Sequence, residues 1–238
     1  GSAHFDGSMG GQPLNQPIVG MAPTADSEGY WEDAADGGIF AFGDAHFAGS
    51  MGGRPLNRPM VGMAPTPDGG GYWEVASDGG IFAFGDAQFY GSMGGQPLNQ
   101  PIVGMAATSD GQGYWLVAAD GGIFAFGDAH FSGSTGSLHL VKPVVGMAAT
   151  PDGAGYWLVA ADGGIFTFGD AHFFGSAAGT AGGSGAIAMA ASDSGSGYLV
   201  VNTSGQVSAF GDAPQLGDLT TAVSNYRGRV VGMATVAG

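Results

Sequence analysis

Short apolar runs alternate with glycine-rich turns along the whole chain, and the pattern returns every 42 residues. In the second copy, an apolar run at 59–64 precedes a Thr-Pro-Asp-Gly turn, and the runs 72–76 and 81–84 are joined by Asp-Gly-Gly. Because glycine tolerates positive φ, two apolar runs joined in this way predict a tight antiparallel hairpin. A fourth run, 88–90, follows a Gly-Asp-Ala turn. Each copy is therefore predicted to contain four short antiparallel strands.

Two sequence markers keep the 42-residue step through five copies. Gly-Tyr-Trp begins at Gly29, Gly71, Gly113 and Gly155 and becomes Gly-Tyr-Leu at Gly197, and Phe-Gly-Asp begins at Phe42, Phe84, Phe126, Phe168 and Phe210. A fixed period of this length is typical of repeat architectures, in which one unit buries its apolar face only by stacking on the next. We therefore interpret both markers as packing and turn positions rather than ligand contacts.

The segments between copies complete the fold prediction. Each copy ends in about ten residues without periodicity, such as 91–100, and no segment has the 3.6-residue period of an amphipathic helix. Four-stranded units joined by one crossover describe the blades of a β-propeller, whose radial closure protects the sheet edges. A β-solenoid suits the tight hairpins poorly, and a β-trefoil has only three such units. We predict an all-β chain, 1–238, forming one β-propeller domain, with repeats that start near 17, 59, 101, 143 and 185.

The two ends of the chain carry extra pieces of the repeat. Residues 3–16 correspond to a leading fourth strand and its crossover, and residues 230–238 to an extra first strand. The preferred prediction is five blades, with the leading strand closing the last one. The alternative is six blades, of which one is incomplete or is completed by another chain. Gly1-Ser2 is interpreted as a cloning scar placed inside a repeat, which predicts a longer parent protein.

Composition narrows the possible partners. The chain has 20 acidic and 5 basic residues and a net charge of -15, so it lacks the basic footprint that nucleic acid or an anionic membrane requires. It contains no cysteine, which excludes disulfides and cysteine-ligated metals. No apolar run is long enough to span a bilayer, and none is typical of a signal peptide. We predict no nucleic-acid partner and no membrane insertion.

The crossovers contain the candidate binding residues. Every Lys and Arg of the chain lies in a crossover, together with many amides, whereas aspartates recur in the turns expected on the opposite side. This distribution favours hydrogen bonding of a neutral polar ligand by the crossovers, at Asn15, Asn57, Asn99, Gln12, Gln96 and Arg54. The recurring aspartates raise the possibility of calcium, but each turn offers only about one carboxylate, so no metal site is predicted. The histidines recur once per repeat, too far apart for a common zinc site.

No pattern indicates catalysis. The chain has no Gly-x-Ser-x-Gly, His-Glu-x-x-His or P-loop sequence, and the glycine-rich segment 179–185 replaces a crossover rather than a strand-to-helix turn. Near-identical repeats favour several similar binding sites over one asymmetric catalytic site. We predict that the protein is not an enzyme and needs no cofactor.

The segment 113–131, Gly-Tyr-Trp-Leu-Val-Ala-Ala-Asp-Gly-Gly-Ile-Phe-Ala-Phe-Gly-Asp-Ala-His-Phe, resembles tandem repeats of secreted actinobacterial proteins, often found beside cell-wall or polysaccharide hydrolase domains. The resemblance implies a secreted or cell-surface accessory module. By architecture the chain is also similar to five-bladed lectin propellers of the tachylectin type, which implies sugar sites between blades.

Two functions follow as expectations. The first is multivalent, lectin-like binding of a carbohydrate or cell-wall glycan. The alternative is a protein-interaction module or structural scaffold, for which the outer-strand positions Asp6, Ala48, Tyr90, Ser132 and Phe174 would matter more.

Overall fold

The computed structural model describes residues 3–180, 185–223 and 228–235. The predicted cloning scar at Gly1-Ser2, the middle of the glycine-rich segment at 181–184, Arg227 and the last residues of the extra strand at 236–238 lie outside the described residues. Among the described residues the fold is all-β except for one short helix, α1 (Leu219–Ala222). No described helix has the length and apolar character needed to cross a bilayer.

In the described part of the chain, fifteen strands form five antiparallel sheets, and each sheet takes its three strands in sequence order. The sheets are β1 (Ile18–Pro23), β2 (Gly29–Ala34) and β3 (Ile39–Gly43); β4 (Met60–Pro65), β5 (Gly71–Ala76) and β6 (Ile81–Gly85); β7 (Ile102–Ala107), β8 (Gly113–Ala118) and β9 (Ile123–Gly127); β10 (Val144–Ala149), β11 (Gly155–Ala160) and β12 (Ile165–Gly169); β13 (Ala186–Ala191), β14 (Gly197–Asn202) and β15 (Val207–Gly211). The predicted hairpins are therefore present in every repeat.

The register is the same in equivalent sheets. In the second sheet Met63 of β4 lies opposite Glu74 of β5, which in turn lies opposite Phe82 of β6. The pairing of the first two strands is shifted between Met60 and Gly62, and the shift recurs at the equivalent place in the first, fourth and fifth sheets. A bulge of this kind adds one residue and increases the local twist.

The prediction of four strands per repeat is wrong, because each sheet has three. The segment expected as the fourth strand bonds to side chains instead of to a strand. In the second repeat, Trp73 Nε1–H donates to the Gln88 carbonyl at 2.7 Å, and the Tyr114 hydroxyl accepts from the Tyr90 N–H at 3.1 Å and donates to the Gly91 carbonyl at 2.7 Å. These bonds satisfy backbone groups that a strand ladder would otherwise have to satisfy.

The extra strands predicted at the two ends are also not strands, because residues 3–17 and 228–235 contain none. Both ends nevertheless keep repeat contacts. The Tyr30 hydroxyl donates to the Gly7 carbonyl, as other tyrosines do one repeat later. At the other end, Val230 N–H donates to the Thr203 carbonyl at 3.2 Å, which matches the bond from Ala186 to Ala161 at 3.1 Å.

The described residues form two compact units, one with residues 3–116 and 124–129 and the other with 117–123 and 130–235. In the first unit Trp31 of the first sheet packs on Tyr72 of the second, with ring centroids 5.7 Å apart. In the second unit Trp157 packs on Tyr198 in the same way, also at 5.7 Å. All four rings are fully buried. Aromatic contacts between consecutive sheets therefore form the core of each unit.

Substitution of Gly85 by alanine is expected to cost about 3 kcal/mol, against about 1 kcal/mol for Gly95→Ala. Both glycines have positive φ, 66° and 80°. A Cβ on Gly85 would collide with the Gly70 carbonyl oxygen and lie 2.8 Å from the Gly71 Cα, whereas no described atom lies within 4 Å of the equivalent position on Gly95. Denaturant unfolding of the two variants separates the free-energy cost of the collision, which only Gly85→Ala has, from the cost of an alanine at positive φ, which both variants share. Equal losses would contradict the predicted collision.

Candidate functional site

An open depression of about 470 Å³ lies in the first unit, where two consecutive crossovers meet the β5–β6 hairpin. We call it the crossover depression. Its lining combines amides, one hydroxyl, one carboxylate, one guanidinium and apolar carbons, and consists of Arg58, Pro59, Ser77, Asp78, Gln96, Leu98, Asn99, Gln100 and Pro101. The hairpin and the crossovers therefore share one side of the second sheet.

Backbone hydrogen bonds fix the crossover against the hairpin. Met93 N–H donates to the Gly79 carbonyl at 2.9 Å, and Ile102 N–H donates to the Ser77 carbonyl at 3.0 Å. The missing side chain of Gly79 makes room for Met93, since a Cβ there would lie 2.6 Å from the Met93 Cβ. Asp78 Oδ1 accepts the Gly80 N–H at 3.0 Å, which fixes the position of its carboxylate. The depression is thus bounded by ordered backbone at both ends of the crossover.

Two of the six predicted binding residues, Gln96 and Asn99, line this depression. The other four do not line it. They are exposed at equivalent positions of the two preceding crossover segments, namely Gln12, Asn15, Arg54 and Asn57. The structure therefore brings together the amides of one crossover and leaves the others at separate places along the chain.

The sequence prediction missed four polar residues of the lining, Arg58, Ser77, Asp78 and Gln100. The pattern predicts Asp78 only as part of a turn between two strands and indicates nothing about Ser77. Their contact with the next crossover depends on tertiary packing. The available signal was the 42-residue recurrence of aspartate at Asp36, Asp78, Asp120 and Asp162, which marks the same hairpin in four repeats.

A second group of polar residues joins the two turns on the other side of each sheet. Thr66 Oγ1 lies 2.9 Å from Asp68 Oδ1 and 3.0 Å from Asp86 Oδ1, and it accepts the Gly71 N–H at 2.9 Å. The Gly70 N–H and the Thr66 hydroxyl hold the pKa of Asp68 below its ordinary value. The described residues contain no group of three or more metal-ligating side chains. In these hydrogen bonds Asp68 and Asp86 are acceptors for groups of the two turns.

One phenylalanine is exposed in the segment that follows the third strand of each of the first four sheets, and Phe5 is exposed at the equivalent position before β1. These side chains are 52% to 75% exposed, at Phe5, Phe47, Phe89, Phe131 and Phe173. The outer-strand positions predicted for a protein partner are adjacent to them, and two of those, Tyr90 and Phe174, instead pack on Tyr114 and Tyr198 with centroids 5.8 Å apart. The exposed apolar series is thus one residue earlier than the predicted one.

Comparison with known proteins supports the fold and gives no family. The chain matches no protein-family model and none of the curated proteins. Its structure is similar to the β-propeller domain of Cps50 (Swd1) from Myceliophteria thermophila, with a TM-score of 0.58 and 10% sequence identity over 84% of this chain and 66% of that chain. The chain thus spans just under two thirds of the length of that domain. At this identity the likeness shows the fold alone, which is that of a β-propeller.

Proposed function

We propose that the chain is a non-catalytic binding module, a five-bladed β-propeller that binds a neutral glycan such as a cell-wall polysaccharide at its crossovers. The observation that carries the proposal is the lining of the crossover depression, where Gln96, Asn99 and Gln100 lie beside Asp78 and Arg58. The resemblance of the repeats to those of secreted actinobacterial proteins supports a secreted or cell-surface location.

The lining suits the chemistry of a sugar. Each hydroxyl of a sugar is both donor and acceptor, and amide side chains offer both groups at one place. The Asp78 carboxylate adds an acceptor and the Arg58 guanidinium adds donors of fixed geometry, so the depression carries opposite charges that balance. The apolar carbons of Leu98, Pro59 and Pro101 provide a surface for the C–H face of a ring. A volume of about 470 Å³ is in the range of small-ligand sites.

The amides recur in three copies only. The position of Asn99 is asparagine at Asn15 and Asn57 but Val141 in the next repeat, and the position of Gln96 becomes Leu138. We infer up to three related sites, whose individual weakness is compensated by avidity toward a repetitive glycan. Valine and leucine at the later positions remove the donors and acceptors that such a site needs.

The triple variant Asn15→Ala, Asn57→Ala, Asn99→Ala is expected to weaken binding of a soluble oligosaccharide at least about tenfold, since loss of one good polar contact costs about 1.4 kcal/mol per site. A glycan array that includes peptidoglycan fragments identifies the probe, and titration calorimetry measures its affinity. Gln88→Ala, an exposed amide outside the crossovers, is the matched control and is expected to bind normally. Absence of any binding by the unmodified chain at millimolar sugar would contradict the proposal.

The exposed phenylalanines favour a second candidate function, a protein-interaction module or scaffold. Contiguous or repeated exposed apolar side chains mark interaction surfaces more often than isolated ones do. If Phe89→Ser weakens binding to a protein partner while the triple asparagine variant binds that partner unchanged, this second function is supported instead.

A further inference from the structure

Two carboxylic acids are buried between the first and second sheets of the first unit. Asp33 of β2 and Glu74 of β5 are both 0% exposed. Within the part of the chain that the structure describes, none of their four carboxyl oxygens has a hydrogen-bond partner. Buried carboxyls are normally paired or hydrogen-bonded, because the charged form is costly to remove from water. This pair is therefore an exception that needs a physical explanation.

The two side chains face the same contact. Alternation along a strand puts Asp33 on the face of Trp31 and Glu74 on the face of Tyr72, and these two rings pack on each other. The Asp33 carboxyl fills the space left by the missing side chain of Gly20, because a Cβ there would collide with Asp33 Oδ1. The same Cβ would lie 3.5 Å from the Gly62 Cα of the second sheet. Asp33 is thus next to the neighbouring sheet.

Equivalent positions in the second unit are apolar. Val159 of β11 occupies the place of Asp33, and Val200 of β14 occupies the place of Glu74. Both valines belong to one buried cluster with Trp157 and Tyr198. Along the chain the position of Asp33 is valine in all four other repeats, and that of Glu74 is glutamate in the first repeat, leucine in the third and fourth, and valine in the fifth. The acids therefore lie in a contact that elsewhere is closed by hydrocarbon.

No cation neutralises the pair among the described residues. The described basic side chains are all exposed, at Arg54, Arg58, Lys142 and Arg229. The titratable groups that act on Glu74 are the carboxylates of Asp33 and Asp36. Tyr72 lies on the same face of β5 as Glu74. The Met51 N–H is near enough to lower the pKa of Glu74 somewhat, but its hydrogen bond goes to the Gly37 carbonyl at 2.8 Å. The surroundings are thus acidic or neutral.

These surroundings favour the protonated forms. Burial raises the pKa of Asp33 to about 7. Burial first, and then the negative charges of Asp33 and Asp36, raise the pKa of Glu74 to about 8. Because the two acids interact, their protons leave in two steps that belong to the pair, and the first negative charge opposes the second. Both groups change charge in the range between mildly acidic and mildly alkaline solution.

We propose that the contact between the first and second sheets is a proton-controlled junction, closed while Asp33 and Glu74 carry protons and loosened when they ionise. An ionised carboxylate without a partner must be reached by water, and separation of the two sheets at Trp31 and Tyr72 would admit it. The contact between Trp157 and Tyr198 has valines in place of the acids and stays closed at every pH in this range. The junction thus makes one sheet contact of the fold sensitive to pH.

The test compares the unmodified chain with the double variant Asp33→Asn, Glu74→Gln. These substitutions keep the shape of both side chains and remove their ability to ionise. Between pH 5.5 and 8.5 the thermal midpoint of the unmodified chain is expected to fall by about 10 °C, a shift typical of a loss of several kcal/mol in a chain of this size. The amide variant is expected to change by less than about 3 °C. Superimposable pH profiles of the two proteins would overturn the proposal.

Hydrogen exchange locates the effect. After correction for intrinsic rates, amides of β2 and β5 are expected to exchange at least tenfold faster at pH 8.5 than at pH 5.5, while those of β11 and β14 serve as controls in the same chain. Equal changes in both pairs of strands would overturn a local junction. Recovery of the lost midpoint at pH 8.5 by 5 mM Ca²⁺ or Mg²⁺, in the unmodified chain only, would also overturn it, because the carboxylates would then hold a cation.

Discussion

Replacement of Asp33 and Glu74 together by valine is expected to raise the free energy of unfolding at pH 8 by about 4 kcal/mol or more. The pKa of Asp33 is about 7 and that of Glu74 about 8 in the folded chain. At pH 8 the unfolded chain ionises both acids freely, whereas the folded chain must bury a charge or retain a proton, and either destabilises it. Valine is the residue that the fold uses at Val159 and Val200, the two equivalent positions of the second unit, where it is buried with Trp157 and Tyr198. The variant removes the charges and adds apolar contact.

The direction of the pH dependence follows from the raised pKa values. Between about pH 4 and pH 8 the folded chain holds more protons at Asp33 and Glu74 than the unfolded chain, so stability is lost as pH rises through 7 and 8. Below about pH 4 both states are protonated and the two acids contribute no pH dependence. The gain from the double valine variant is therefore smallest in acid and largest above pH 8.

The turn aspartates act in the opposite direction. Hydrogen bonds from backbone N–H groups and threonine hydroxyls lower the pKa of the exposed aspartates Asp26, Asp68, Asp110 and Asp152. Their contribution is present above the ordinary pKa of aspartate and is lost as pH falls below it. Both the unmodified chain and the valine variant should share this acid limb, so the difference between them isolates the buried pair.

Urea unfolding at pH 5 and pH 8 measures the effect. Val159→Asp with Val200→Glu places the same acids at the equivalent contact of the second unit, and this control is expected to lose stability between the two pH values more steeply than the unmodified chain. A double valine variant no more stable than the unmodified chain at pH 8 would contradict the assignment of the two acids as a cost to folding.

The sequence predicted most of the repeat. Three strands, their order and both tight turns follow from alternation and glycine placement within 42 residues, and these predictions are confirmed. The fourth strand is not formed, because its backbone bonds to side chains from its own repeat and from the next one, as Trp73 and Tyr114 do with the segment at Gln88. Local alternation contains no information about such bonds.

The buried acids show a second limit of local reasoning. In a single repeat, Glu74 stands between the apolar residues Trp73 and Val75, and Asp33 follows Glu32, so both positions are also compatible with an exposed strand face. Their burial arises only when Trp31 of one sheet packs on Tyr72 of the next. Comparison of the five copies carried the signal, since the position of Asp33 is valine in the other four copies and that of Glu74 is leucine or valine in the last three. The crossover depression was predicted in part for the same reason, because Gln96 and Asn99 are local to a crossover but Asp78 belongs to a distant hairpin.

Substitution of Trp73 by alanine is expected to destabilise the chain by about 4 kcal/mol and to release the segment after the third strand. Trp73 is fully buried, packs on Tyr114 with centroids 5.6 Å apart, and donates Nε1–H to the Gln88 carbonyl at 2.7 Å. The substitution leaves a cavity at a sheet contact and removes the bond that fixes the segment. Urea unfolding measures the first effect, and hydrogen exchange at the Tyr90 amide measures the second.

Two further variants separate packing from hydrogen bonding. Trp73→Phe keeps a ring and removes the donor, so it should cost about 1 to 2 kcal/mol and still accelerate exchange at Tyr90. Leu199→Ala is the matched control, because Leu199 occupies the position of Trp73 in the fifth repeat and has no N–H to donate from its side chain. The segment after β15, which contains the exposed Leu216, therefore has no equivalent bond from this position. That variant should lose only the smaller volume, about 2 to 3 kcal/mol. Unchanged protection of Tyr90 in Trp73→Phe would show that the bond from Trp73 is dispensable, and that the hydroxyls of Tyr114 and Tyr90 hold the segment through their own bonds.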